Sequence, residues 1–151
     1  MTTIVLETLI DAPPVACFDV SIDVDEHMAS TAHTGERIVA GVMHGKLKLN
    51  DTVTFEARHF GLRMRLTSKI TQYERPHRFV DEMVSGPFKS IWHEHRFDDA
   101  PDGTRMVDTF KFAAPLGPLG LVAERLFLKS YMCRLIQGRN AHIKQSAENP
   151  R

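Results

Sequence analysis

The chain has 151 residues, 42% hydrophobic and 25% charged, with 19 basic and 19 acidic side chains; this suits one folded domain, residues 1–151, and excludes a disordered chain. The charges are intermixed, with no basic run to neutralise phosphates, so no nucleic-acid partner is expected. No stretch reaches the roughly 18 apolar residues of a transmembrane segment, and the apolar run in "MTTIVLETLIDAPP" is broken by Glu7 and has no basic segment before it, unlike an export signal.

In chain order, "TIVLETLI" alternates as a strand and stops at "DAPP", where Asp11 can cap a helix over "PVACFDVS" with proline in its first turn. "DVDEHMAS" reads as a second short helix, with Asp23 as its cap and Glu26 at the capping-box position. From Glu36 onward strand patterns dominate. Val53, Phe55, Ala57 and His59 alternate with polar neighbours, as do Leu62, Met64, Leu66 and Ile70 after Phe60-Gly61. A two-residue hairpin at Phe60-Gly61 sets His59 opposite Leu62, Ala57 opposite Met64 and Phe55 opposite Leu66, so both apolar sets share one face.

"RFVDEMV" is a further strand ended by Gly86-Pro87, and "KSIWHEHRF" and "TRMVDTFKF" flank a turn-rich "DDAPDG". After "PLGPLG", an apolar stripe through Leu121, Leu128, Met132 and Leu135, with Phe127, Tyr131 and Ile136 beside it, predicts a helix of some 25 residues, or about seven turns. A sheet with one apolar face and a helix with one broad apolar side pack on each other, so the class is α+β. Cys17 and Cys133 lie far apart, without CxxC spacing, in apolar surroundings. They read as buried thiols, and a reducing cytoplasm is the expected location.

The order β-α-α-β(6)-α, together with "TFEARHFG", "RFVDEMVSGPF", "HEHRF", "GTRMVD" and "PLGPLG", resembles the START-like helix-grip superfamily, also called SRPBCC, and a bacterial branch of it, over nearly the whole chain. That superfamily includes birch-pollen-type allergens, polyketide cyclases and coenzyme Q-binding proteins. The resemblance implies a curved antiparallel sheet wrapped around the long C-terminal helix, with a cavity between them for a lipid, an isoprenoid or a polyketide. It implies neither a cofactor nor catalysis, since relatives carry or sense ligands while others cyclise or dehydrate them on the same scaffold.

Strand phase puts Ile91, His93, His95 and Phe97 on one face and Trp92, Glu94 and Arg96 on the other. In the next strand Met106, Asp108, Phe110 and Phe112 form the apolar set, so Asp108 is a carboxylate on an apolar face. Pairing inward residues sets Phe97 against Met106, His95 against Asp108 and His93 against Phe110. A cross-strand His95–Asp108 pair is the expectation.

This group has several readings. It can be a buried histidine satisfied by a carboxylate, without chemistry. It can orient a polar head group in an apolar cavity lined also by His59, Phe55, Met64, Met106, Phe110, Leu128 and Met132. It can be catalytic, with His95 as general base, Asp108 as its orienter and His93 polarising a carbonyl. It can bind a metal through His93, His95 and Asp108, because residues two apart on a strand are about 6.7 Å apart at Cα. His59, three strands away at about 14 Å, is a poorer metal ligand; it can also be a half-exposed residue beside a hairpin. His27 and Ser30 either line the cavity mouth or lie at the surface. The ligand expected is a hydrophobic small molecule, and the protein is a monomer or a homodimer through a sheet edge or the final helix.

Overall fold

Alternating segments become strands and stripe-bearing segments become helices in the computed structural model, which describes residues 1–150. Strand β1 is Thr2–Ile10, followed by helices α1 (Pro14–Ser21) and α2 (Val24–Ser30). Strands β2 (Arg37–Gly41), β3 (Thr52–His59), β4 (Leu62–Glu74), β5 (Arg78–Ser85), β6 (Ser90–Ala100) and β7 (Gly103–Ala113) come next. Helix α3 (Gly117–Ala123) runs through a π-helical turn, Glu124–Leu128, into α4 (Lys129–Glu148). All seven strands form one antiparallel sheet in the order β1-β7-β6-β5-β4-β3-β2, so the long crossover joins the first strand to the far edge. This is the expected α+β helix-grip architecture.

Register follows the side-chain pattern. Across β3 and β4, His59 faces Leu62, Ala57 faces Met64 and Phe55 faces Leu66. The turn residues Phe60 (φ 53°) and Gly61 (φ 77°) both have positive φ, as a two-residue hairpin with right-handed strands requires. Breaks in register between Thr67 and Ser68 and between Ile70 and Gln72 interrupt the pairing of β4 with β5. Extra residues of this kind bend a strand and increase its twist, which curves the sheet around α4.

Some local expectations change. Asp11 does not cap α1; Pro13 holds that position, and the Asp11 N–H donates to Glu148. Asp23 does cap α2, accepting from the N–H groups of Asp25 and Glu26. Glu26 reaches away from a capping box to His142 and Ser146 on α4. The "DDAPDG" segment is mostly strand: Ala100 pairs with Gly103, and only Pro101 and Asp102 turn. Leu121 leaves the apolar stripe and is 49% exposed. The π turn adds a residue to one helical turn and rotates the preceding segment by roughly 100°, so Leu121 no longer shares a face with Leu128. Cys17 is buried, but Cys133 is only half-buried.

Buried apolar residues fall into two groups. One joins Ile10, Cys17, Phe18, Phe97, Met106 and Ile143 under α1 and the end of α4. Phe18 is its centre, meeting Tyr73, Phe79 and Phe97 edge-on at ring separations of 5.5, 5.3 and 5.6 Å. The second group, Ile4, Ile91, Phe110, Phe112 and Ile136, lies farther along the sheet, with Met132 and Leu128 against it. Among the described residues no helix is long and apolar enough to cross a membrane.

Met106 has no exposed surface, so Met106→Ala should destabilise by about 2–5 kcal/mol in urea unfolding. Met64 borders open space, and Met64→Ala should cost less than about 1 kcal/mol, because part of its side chain has no packing partner to lose. Equal costs would mean that the space beside Met64 is closed.

Candidate functional site

The alternation of β6 turns Ile91, His93, His95 and Phe97 inward, and all four are buried. On β7, Phe97 faces Met106, His95 faces Asp108 and His93 faces Phe110, as the sequence pattern predicts. On the other flank β5 brings Asp81 opposite His93 and Phe79 opposite His95. The imidazoles thus lie between two carboxylates, one from each neighbouring strand.

The hydrogen bonds cross this register. His93 Nε2 donates to Asp108 Oδ1 at 2.8 Å, while His95 Nε2 donates to Asp81 Oδ2 at 2.7 Å. His95 and Asp108 are neighbours as expected, but at 3.2 Å through Nδ1. The two rings lie 3.8 Å apart, tilted by 33°, and Phe79 stacks on the other face of His95 at 4.2 Å. Ser68 Oγ donates to the second Asp81 oxygen at 3.3 Å.

Helix α4 closes the cluster from above. Asn140 Nδ2 donates to Asp108 Oδ2 at 2.7 Å. Arg139 donates through Nη2 to the Ser21 carbonyl and hydroxyl at 3.1 and 3.0 Å, tying α4 to the end of α1. Its Nη1 lies 3.4 Å from His95 Nδ1 and 3.7 Å from Asp108 Oδ1. A buried carboxylate without such partners would cost several kcal/mol.

The same contacts set the protonation states. Burial alone would raise the Asp81 carboxyl, but the hydrogen bond from His95 and the adjacent His95 and His93 rings, with Arg139 contributing least, bring it down to about 2. Burial likewise opposes ionisation of Asp108, yet the His93 bond and the adjacent His95 ring hold it well below the usual carboxylate range. His93 is pushed down by burial and by His95, against the pull of Asp108. The neutral form of His93 is therefore favoured, with Nε2 protonated toward Asp108.

Part of this cluster borders a cavity of about 480 Å³ between the sheet and the helices. Its wall is largely apolar: Val53, Phe55, Ala57, Met64 and Leu66 come from β3 and β4, and Leu128, Met132, Leu135 and Ile136 from the helical side. Asp81, His93, His95 and Arg139 also contribute to the lining. Of the residues expected at the cavity, His59, His93, His95, Phe55, Met64, Phe110, Leu128 and Met132 do border it. Asp108 and Met106 do not. Asp108 is 1% exposed and sits between the histidines and Asn140, and Met106 is packed in the solid group with Phe97.

His59 lies three strands from the imidazole pair and is hydrogen-bonded to the Tyr131 hydroxyl of α4. Burial pushes the His59 imidazole down and the Tyr131 phenol up. His27 also borders the cavity; its Nε2 meets Glu36 Oε1 at 2.7 Å and its ring lies 4.5 Å from Phe55. Ser30 takes no part in the lining, and its hydroxyl donates to the His27 carbonyl.

The set with the closest metal-ligand spacing is Asp81, His93 and His95, whose donor atoms lie within 4.8 Å of one another, rather than the expected His93, His95 and Asp108. The imidazoles lie against each other, each already donates to a carboxylate, and the Arg139 cation stands beside them. That arrangement favours proton holding and oriented hydrogen bonding over cation binding.

Sequence reasoning misses Asp81, Arg139 and Asn140, though each carries a signal. In "RFVDEMV" the period of two puts Asp81 with Phe79 and Met83. Continuing the helical stripe from Met132, Leu135 and Ile136 leads to Arg139, Asn140 and Ile143.

Because His93 is lowered in the folded chain, charging it opposes folding, and stability should fall as pH drops below about 6.5. Asp81, near 2 when folded and 3.8 as its ordinary value, contributes stability that is lost as pH falls from 3.8 through about 2. Chemical denaturation between about pH 2 and pH 8 should show both declines. His93→Gln should reduce the upper decline, to which the lowered His59 also contributes, and Asp81→Asn the lower, to which Asp108 also contributes. An upper slope unchanged by His93→Gln would contradict the assignment.

Comparison with known proteins gives a consistent result. The family described as polyketide cyclase / dehydrase and lipid transport matches residues 1–148. No curated protein matches in sequence. Among solved structures, TTHA0849 from Thermus thermophilus is 17% identical with a TM-score of 0.74, covering 97% of this chain and 99% of its own. The ginseng major latex-like protein 151 from Panax ginseng is 13% identical, with a TM-score of 0.70 and 97% of both chains covered. Ara h 8.0201 is 14% identical, with a TM-score of 0.68 and 97% coverage of both. At these identities the structures share the fold, and the family match carries the classification: the chain belongs to the polyketide cyclase / dehydrase and lipid transport family, within the START-like helix-grip superfamily.

Proposed function

We propose that the protein binds a hydrophobic small molecule of lipid, isoprenoid or polyketide type in the cavity, with its polar end held by the His93, His95, Asp81 and Arg139 group. The observation that carries this reading is the cavity itself: about 480 Å³ of largely apolar space with those charged and imidazole groups in its lining. Its volume is in the ordinary range for small-molecule sites, about 300–1,000 Å³. Apolar side chains facing open space lack dispersion partners, which an apolar ligand supplies. With Nε2 donating to Asp108, His93 Nδ1 has no hydrogen-bond partner among the described residues and is an acceptor for a ligand hydroxyl. Arg139 offers N–H groups to a ligand oxygen. The free thiols Cys17 and Cys133 suit a reducing cytoplasm.

Native mass spectrometry of protein purified from cells, followed by solvent extraction, should show one apolar molecule per chain. His93→Gln, whose amide N–H can still donate to Asp108, should retain the fold and weaken binding of a hydroxylated ligand by about tenfold, the loss of one hydrogen bond. Absence of a bound species, together with failure of fatty acids, isoprenoids and polyphenols to displace an apolar fluorophore, would overturn the reading.

A second reading, a cyclase or dehydratase, is favoured by one feature: His93 borders the cavity and is backed by buried Asp108, the arrangement of an oriented general base. In this geometry the base is His93, and His95 is oriented by Asp81. Catalysis predicts that His93→Gln abolishes turnover of a cyclisable polyketide while leaving its affinity within about threefold. Parallel loss of both returns the site to binding alone.

A further inference from the structure

One surface is unlike the rest. Leu116, Leu119, Val122 and Leu126 are 77, 72, 53 and 74% exposed, and Phe127 and Phe60 are 49 and 56% exposed. They come from two separate places, the start of the C-terminal helical segment and the β3-β4 turn. The Phe60 ring joins the two, 5.7 Å from Phe127 and 4.5 Å from Tyr131. Phe60, Leu116, Leu119 and Phe127 also border the cavity, so the patch is the rim of its opening.

Two backbone positions show that this exposure is costly. Phe60 and Leu116 have φ of 53° and 71°, a left-handed conformation suited to glycine or asparagine. Both positions carry instead a large apolar side chain turned to solvent. Neither burial nor backbone preference explains that choice.

Charge narrows what the rim meets. Although the whole chain is neutral, residues 57–66 and 115–135 contain a single carboxylate, Glu124. Glu124 is 2% exposed and is occupied internally, accepting from the Thr2 hydroxyl and the Ala114 N–H. Arg58, Arg63, Arg125 and Lys129 are exposed and lie within three residues in sequence of the exposed apolar side chains Phe60 and Leu126. Of these only Arg63 has an ion-pair partner among the described residues, Glu56 at 3.6 Å.

We infer that this rim docks on an anionic lipid bilayer, with the Phe60 turn and the α3 residues entering the interface and Arg58, Arg63, Arg125 and Lys129 facing lipid headgroups. Apolar side chains next to cations, three of the four without an ion-pair partner among the described residues, are the composition of an interfacial membrane contact. A bilayer laid over the opening gives an apolar molecule a path between lipid and cavity that avoids water. That advantage rests on the proposed ligand class, whereas the docking itself does not.

The test is sedimentation of the full chain, without added ligand, with vesicles of phosphatidylcholine alone or mixed with phosphatidylglycerol. The mixed vesicles should bind at least about tenfold more tightly and should release the protein as salt is raised. Leu126 does not line the cavity, and neither do Arg125 or Lys129. Leu126→Asp, and separately Arg125→Glu with Lys129→Glu, should each lower binding to mixed vesicles at least about tenfold with an unchanged melting temperature. Equal binding to both vesicle types, no binding to either, or indifference to these substitutions would overturn the proposal. So would a dimer that Leu126→Asp dissociates in the absence of vesicle binding, because the occupant would then be a second copy. Vesicle binding without a cavity ligand, or the reverse, separates this proposal from the function above.

Discussion

The carboxylate of Asp108 is the constraint on which the rest of the structure depends. It is buried on a face shared with Thr104, Met106, Phe110 and Phe112, and water does not solvate it. It must be satisfied from within, and its donors come from two directions: His93 on the neighbouring strand and Asn140 on the helix. Meeting that requirement fixes the rotation of α4 and its height above the sheet. Arg139, one residue away, then reaches His95 and Ser21, so the same stretch of α4 also holds the end of α1. Such a network is worth keeping only if complete, since removing one partner leaves a charge stranded.

The anchor also divides the interior. Along β6 the inward residues run Ile91, His93, His95, Phe97, with the polar pair in the middle. On the Phe97 side, Phe18, Met106 and Ile143 pack into a solid core. On the Ile91 side, helix and curved strands leave the cavity. The π turn at Glu124–Leu128 belongs to that open half, where it rotates the preceding segment so that Leu119, rather than Leu121, borders the cavity. Glu124 ties this turn to the ends of β1 and β7, and its hydrogen bonds to Thr2 and Ala114 keep it ionised despite burial.

Much of this is legible in the sequence because it follows from period. Alternation in "KSIWHEHRF" and "TRMVDTFKF" yields both the inward faces and the pairing of β6 with β7, and the Phe60-Gly61 turn yields that of β3 with β4. What strand phase does not supply is the diagonal: which carboxylate each imidazole chooses depends on sheet twist and ring rotation, so His93, rather than His95, bonds Asp108. Asp81 sits on the right face by the same rule, but a carboxylate inside "VDEMV" also reads as a solvent-facing one. Leu121 falls off the expected stripe because a π turn has no composition signature. Met106 does not reach the cavity because phase reports facing and not depth; it faces inward, but in the solid half.

The most direct test is whether the space between sheet and helix is open and is the place where a ligand sits. Ala57 borders the cavity and is nearly buried, so Ala57→Phe places a ring into that volume. An open cavity predicts a folded variant, with a melting temperature equal to or above that of the parent, that no longer takes up an apolar fluorophore. A variant that unfolds, as overpacked cores do, or one that binds the fluorophore as well as the parent, would contradict it.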